Sequence, residues 1–149
     1  MQLGDYLEKD LVLSDLNSQG KEEVLKELVL ALGKRYENLD TDLAVRVLLD
    51  REQLGTTGIG DGIAIPHGKI DGIDDVMLVV GRSLTGVDFE ALDSKPCSIF
   101  FLVLAPEEVA GMHLRILAQI SRVLKDEQFR ERFHSAESHD AIWKLLSQV

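Results

Sequence analysis

Two uninterrupted apolar runs, Met77–Val80 and Ile99–Leu104, limit the architectures open to this chain more than any other feature. A strand with one wet face alternates polar and apolar residues, so a run without polar positions needs cover on both faces. The cover is legible in the flanks. Leu25, Leu28, Val29, Leu32 and Tyr36 recur at helical spacing after Ser18, which reads as an N-cap. A second helix opens after Asp40 or Thr41 on a stripe of Ala44, Val47 and Leu48, and stops at Gly55. Pro106 suits the first turn of a third long helix, with Glu107 and Glu108 beside its positive end and Leu114, Leu117, Ile120, Ser121 and Leu124 on its inner face. Gln128–Phe133 and Ala141–Gln148 read as two short final helices, the last burying Ile142, Leu145, Leu146 and Trp143. Short extended pieces are expected at Leu11–Leu13, Ile63–Ile65 and around Val87 and Phe89. The order is strand, two helices, several strands, three helices. It implies an α/β fold with a mixed sheet and helices on both faces.

Composition narrows the function classes. The 149 residues set an expectation of one domain, 1–149, with no linker or repeat dividing it. Sixteen basic and 26 acidic side chains leave a net charge of −10, which repels phosphate backbones and anionic lipid. Nucleic acid is therefore not an expected partner, whereas a protein with a basic face is compatible. Cys97 is the one cysteine, so a disulfide framework and a multi-cysteine zinc site are both excluded. No apolar run reaches the eighteen or so residues of a membrane span, and the first ten residues lack a signal-peptide pattern, so a cytoplasmic location is expected. The carboxylates show no spacing that marks glycosidase or metal work, and neither a metal nor another cofactor is expected.

The glycine-rich segment Gly55–Gly68 carries the chemistry. Gly58-x-Gly60-x-Gly62 is followed by Ile63-Ala64-Ile65-Pro66, which cannot open a helix, so it is no dinucleotide fingerprint. Gly68-Lys69-Ile70 lacks the hydroxyl residue of a P-loop. What remains is Pro66-His67-Gly68. The proline stiffens the approach and holds Ile65 extended, and the glycine removes a side chain beside the ring. A histidine presented rigidly with space beside it suits nucleophilic attack on phosphorus; a half-buried turn histidine is the alternative.

His113 stands about two turns into the expected third helix, on its apolar side. It reads either as a core histidine or as a donor to a phosphoryl oxygen across a cleft from His67. Arg51, seven positions after Ala44, either complements a helix C-terminus or offers a planar fork to phosphate oxygens. Thr56 and Thr57 read as turn formers, His134 and His139 as surface residues, and Cys97 as packing.

Arg51-Glu52-x-x-Gly55-Thr-Thr-Gly58-Ile-Gly-Asp-Gly62-Ile-Ala64-Ile-Pro66-His67-Gly68 resembles the active-site signature of the fructose/mannitol-type IIA component (EIIA type 2) of the bacterial phosphoenolpyruvate-dependent phosphotransferase system. Leu102-Val-Leu-Ala-Pro106-Glu-Glu-Val-Ala-Gly-Met-His113-Leu-x-x-Leu117-Ala118 resembles its second block. The resemblance implies a three-layer α/β/α sandwich with a mixed β-sheet. It implies that His67 is phosphorylated on Nε2 by HPr, an HPr-like phosphocarrier or its nitrogen-branch counterpart, that His113 supports the reaction, and that Arg51 is the active-site arginine. The Leu-Asp-Arg-Glu and Gly-Val-Asp-Phe wording looks most like the nitrogen-regulatory IIA proteins. A sugar-transport subunit passing phosphate to a IIB component and a non-catalytic binding module on the same fold are the alternatives. Oligomeric state is left open.

Overall fold

The computed structural model describes residues 2–108 and 111–149. Two 3-10 turns, Leu3–Tyr6 and Lys9–Leu11, lead into β1 (Val12–Leu13), α1 (Lys21–Arg35) and α2 (Thr41–Gln53). The strands β2 (Gly58–Gly60), β3 (Ile63–Ala64), β4 (His67–Ile70), β5 (Met77–Val87) and β6 (Cys97–Pro106) follow, then α3 (Met112–Leu124), α4 (Glu127–Ser135) and α5 (His139–Leu146). The sheet order is β1-β5-β6-β3-β2, with β4 also pairing β6. β5 and β6 are antiparallel, as are β2 and β3, whereas β1 on β5 and both β3 and β4 on β6 are parallel. The sheet is therefore mixed.

Alternation along β6 builds the layers. Phe100, Leu102 and Leu104 enter a core with Leu25, Leu28 and Leu32 of α1 and with Ala44 and Leu48 of α2. Ile99, Phe101 and Val103 enter a second core with Ile116 and Ile120 of α3, Phe133 of α4 and Ile142 of α5. The sheet thus lies between two helical layers, which is why its central strands carry no polar alternation. Each buried apolar side chain is worth about 1.5–3 kcal/mol. A surface pair such as Lys26–Glu22 on α1 adds only a few tenths. Packing against the sheet holds the helices.

Several boundaries differ from the expectations, each for a local reason. α1 starts after Gly20, and Ser18 instead donates its hydroxyl to Glu27 Oε1 at 2.7 Å. Glu27, a turn and a half into α1, reaches back to bind the backbone amides of Asn17 and Ser18, so the turn is capped from inside the helix. Asp40 does cap α2, accepting from Leu43 N. Pro106 ends β6 and does not open a helix, because parallel pairing with β4 continues through Ala105 and Pro106. A proline needs no donor at a strand's last position, so the same residue fits either role. α3 begins at Met112 behind Gly111, which sits at φ 78°. Its inner face is Ile116, Ile120 and Leu124; Leu114 points to solvent. Val109 and Ala110, part of the second sequence block, lie outside the described residues.

Arg82 and Glu52 are charged side chains buried in the fold. Arg82 on β5 is 5% exposed and donates to the carbonyls of Ser14, Phe133, His134 and Ala136, tying the end of α4 to the sheet. Cys97 is buried at the start of β6, where desolvation, then the charge of Asp93, pushes its thiol up to about 11. Among the described residues, no helix is long and apolar enough to cross a membrane.

Candidate functional site

β3 and β4 run consecutively along the same edge of β6, separated by Ile65 and Pro66. Across that break Ile65 N donates to Thr57 O at 3.0 Å, and Val103 N donates to Pro66 O at 2.9 Å. The kink is thus bonded on both sides. His67 opens β4 opposite Val103 and is half-buried. Alternation places Gly68 and Ile70 toward α2, and His67 and Lys69 on the side of α3. A Cβ on Gly68 would meet Val47 Cγ1 at 2.7 Å. The glycine therefore admits α2 against the strand, a different service from the expected open space beside the ring.

The imidazole has a defined polarity. His67 Nδ1 lies 2.8 Å from Ile65 O. A carbonyl only accepts, so Nδ1 carries the proton and Nε2 keeps its lone pair.

His113 is the second residue of α3, in its first turn, not two turns in. It is half-buried, and its Nδ1 is buried without a hydrogen-bond partner among the described residues. Burial, then the positive charge of Lys69 and of His67, holds its pKa below the ordinary histidine value. The helix N-terminus acts in the same direction. The two histidines and Lys69 consequently share one electrostatic neighbourhood. Arg51 sits in the last turn of α2, where its Nη1 donates to Gly55 O at 2.9 Å. It braces the start of the glycine-rich segment and makes no hydrogen bond to either histidine.

Two further residues belong here. Lys69 follows His67 by two along a strand, the spacing that puts both on one face. Glu52 falls four and eight residues after Leu48 and Ala44, on the buried stripe of α2, which is the signal that could have found it. Its carboxylate accepts from Thr57 N at 3.0 Å, from Thr57 Oγ1, and from Lys21 Nζ at 3.0 Å. Thr57 is accordingly a buried anchor, while Thr56 Oγ1 receives Gly58 N as a turn residue should. His134 is exposed and His139 half-buried, both away from these groups on α4 and α5.

Met112 and Leu114, on either side of His113, and Leu54, at the C-terminal end of α2, are exposed apolar side chains. Beyond the end of β4 lies a cavity of about 480 Å³ lined by Asp71, Asp74, Glu107 and Glu108 among others. There a hydrogen bond with Asp71, and that residue's charge, hold the Glu107 carboxyl above its ordinary value. Among the described residues no cluster of His, Cys, Asp and Glu is placed to hold a metal ion.

A mixed sheet between two helical layers carries, on the strand beside its central one, a histidine with a bare Nε2, in the electrostatic neighbourhood of a second histidine and a lysine. Residues 5–149 match the family described as phosphoenolpyruvate-dependent sugar phosphotransferase system, EIIA 2. The chain is 33% identical over 147 residues to a nitrogen regulatory protein of Bradyrhizobium diazoefficiens, covering 99% of this chain and 95% of that protein. It is 36% identical over 148 residues to the fructose-specific EIIABC component of Bacillus subtilis, covering 99% of this chain but 23% of that longer protein. The crystal structure of nitrogen regulatory protein IIA-Ntr from Neisseria meningitidis superposes with a TM-score of 0.88 at 30% identity, over 97% of this chain and 98% of that one. The chain belongs to the EIIA type 2 family of the phosphotransferase system.

Proposed function

We propose that this chain is a cytoplasmic phosphohistidine carrier that accepts a phosphoryl group on His67 Nε2 from an HPr-like phosphocarrier protein. The observation that carries the reading is the 2.8 Å contact between His67 Nδ1 and Ile65 O, which leaves the lone pair on Nε2. That lone pair attacks phosphorus as the donor's N–P bond breaks, and the phosphoryl group moves without a cofactor. The product adds a charge of roughly −2 beside the ring. Lys69 lies on the same strand face, and His113, close enough to feel the charges of Lys69 and His67, sits in the first turn of α3, where backbone amides are free. Arg51, now on the Gly55 carbonyl, reaches the phosphoryl oxygens by exchanging that bond. A carrier must also release its cargo, so these groups stabilise the transfer more than the loaded state.

The nitrogen-regulatory reading, in which the loaded and unloaded states signal to a protein target, is supported by the match to the Neisseria structure. The fructose-specific relative supports the second reading, delivery to a IIB component. The same experiment addresses both. Incubation with phosphoenolpyruvate, the general phosphotransfer proteins and Mg²⁺, followed by intact mass, should give one acid-labile phosphate that is absent in His67→Ala. His113→Ala and Arg51→Ala should slow loading by about 10²–10³-fold, the usual cost of losing a transition-state donor. No mass gain with competent upstream proteins would instead favour a binding module. Adding a IIB protein then separates the two carrier readings by whether the phosphate leaves.

A further inference from the structure

We propose that Glu52 is a positioning residue for His67, fixing which imidazole nitrogen carries the proton through a bonded path that crosses the glycine-rich segment. The value of that control to phosphoryl transfer rests on the carrier reading above; the control itself does not.

The path begins in the interior. The Glu52 side chain is 4% exposed, and Lys21, its counterion at 3.0 Å, is 14% exposed with Nζ 4.8 Å from the Phe89 ring centroid. Both Thr57 donors, N and Oγ1, end on the Glu52 carboxylate. Thr57 O takes the amide of Ile65 at 3.0 Å. Ile65 O takes the Nδ1 proton of His67 at 2.8 Å. From carboxylate to imidazole, each residue on the path is held by the one before it.

The segment needs such an anchor. Gly55, Gly60, Asp61 and Gly62 all have positive φ, so the stretch from Gly55 to Gly62 gains little from local backbone preference. The chemistry needs a carboxylate in particular. Three donors converge on it, and an amide at that place has one acceptor oxygen and turns its NH₂ toward a donor. Free histidine in water favours the proton on Nε2, the nitrogen that must be bare to attack. The Ile65 carbonyl reverses that preference, and the bond from Ile65 N to Thr57 O helps hold it in place.

The test reads the imidazole nitrogens directly. ¹⁵N-labelled protein, without any partner, is examined by long-range ¹H–¹⁵N correlation in mildly alkaline buffer, where imidazoles are neutral. The wild-type protein should show His67 protonated on Nδ1. Glu52→Gln should move a large share of His67 to the Nε2-protonated form while leaving His134 unchanged, and should slow loading about 10-fold or more. An unchanged His67 nitrogen pattern in the folded variant overturns the proposal, whatever the loading rate. A changed pattern with wild-type loading upholds the positioning and shows that loading does not depend on it. Should Glu52→Gln not fold, Thr57→Ala, which deletes the hydroxyl anchor, carries the same two outcomes.

Discussion

A histidine that opens a helix, beside an ammonium and a second imidazole, is a base that resists its proton, and this describes His113. Its pKa is lowered first by burial, then by Lys69 and His67. The unfolded chain, with an ordinary histidine value near ~6.5, therefore binds more protons just below that pH than the folded chain does. This contribution to stability is whole above about pH 6.5 and drains away as the pH falls toward the folded value. Urea unfolding at about pH 7 and about pH 5.5 should show His113→Gln losing less stability on acidification than the wild type does; equal losses would mean that the imidazole is not held neutral. At this scale the sequence displayed the histidines but not their surroundings. Pro66-His67-Gly68 marked a presented ring, and the two-residue step to Lys69 was there to be counted. The Nδ1 contact with Ile65 O was not legible, because it depends on a kink between two strands that pair with a third, Val103-bearing strand from elsewhere in the chain. Glu52 escaped because acidic residues at helix ends are ordinarily solvated, and only the placement of Lys21 and Thr57 makes it an interior group.

Among the elements, β4 does two jobs through alternate residues. It turns His67 and Lys69 to one side and lays Gly68 against α2 on the other. Val47 is β-branched and cannot swing away from an added methyl group. Gly68→Ala should therefore push β4 from α2 and cost about 1–3 kcal/mol, as overpacking does. Urea denaturation measures this, and a variant as stable as the wild type would show that the strand-to-helix approach tolerates more than the 2.7 Å separation indicates. The helices were largely readable because their apolar stripes survive in the structure: Leu25, Leu28 and Leu32 in α1, Ala44 and Leu48 in α2, Ile142 and Leu146 in α5. Their starts were less so. Pro106 is equally at home ending a strand, and the choice was made by pairing with Ile70 of β4, 36 residues earlier in the chain. That shift moved the start of α3 to Met112 and brought His113 from the helix body to its first turn, where backbone amides are free.

For the whole molecule, the two uninterrupted apolar runs carried the architecture: strands that must be covered twice leave room for little besides a layered sheet. The net charge of −10 acts at the same scale. For a phosphoryl donor with a basic docking face, Asp71, Asp74, Glu107 and Glu108, gathered beyond the end of the strand that His67 opens, would supply an acidic approach. Electrostatic attraction of this kind accelerates encounter more than it tightens the complex. Raising ionic strength from about 0.05 M to about 0.5 M should slow loading several-fold under second-order conditions, and a rate indifferent to salt would remove steering from the account. Cys97 has a practical meaning in this setting. Its sulfur is shut in at the head of β6 and disinclined to ionise, so an alkylating dye offered to the folded protein finds no native target. A single thiol introduced beside the imidazole would be a unique handle, able to report the arrival of a visiting protein without any background to subtract.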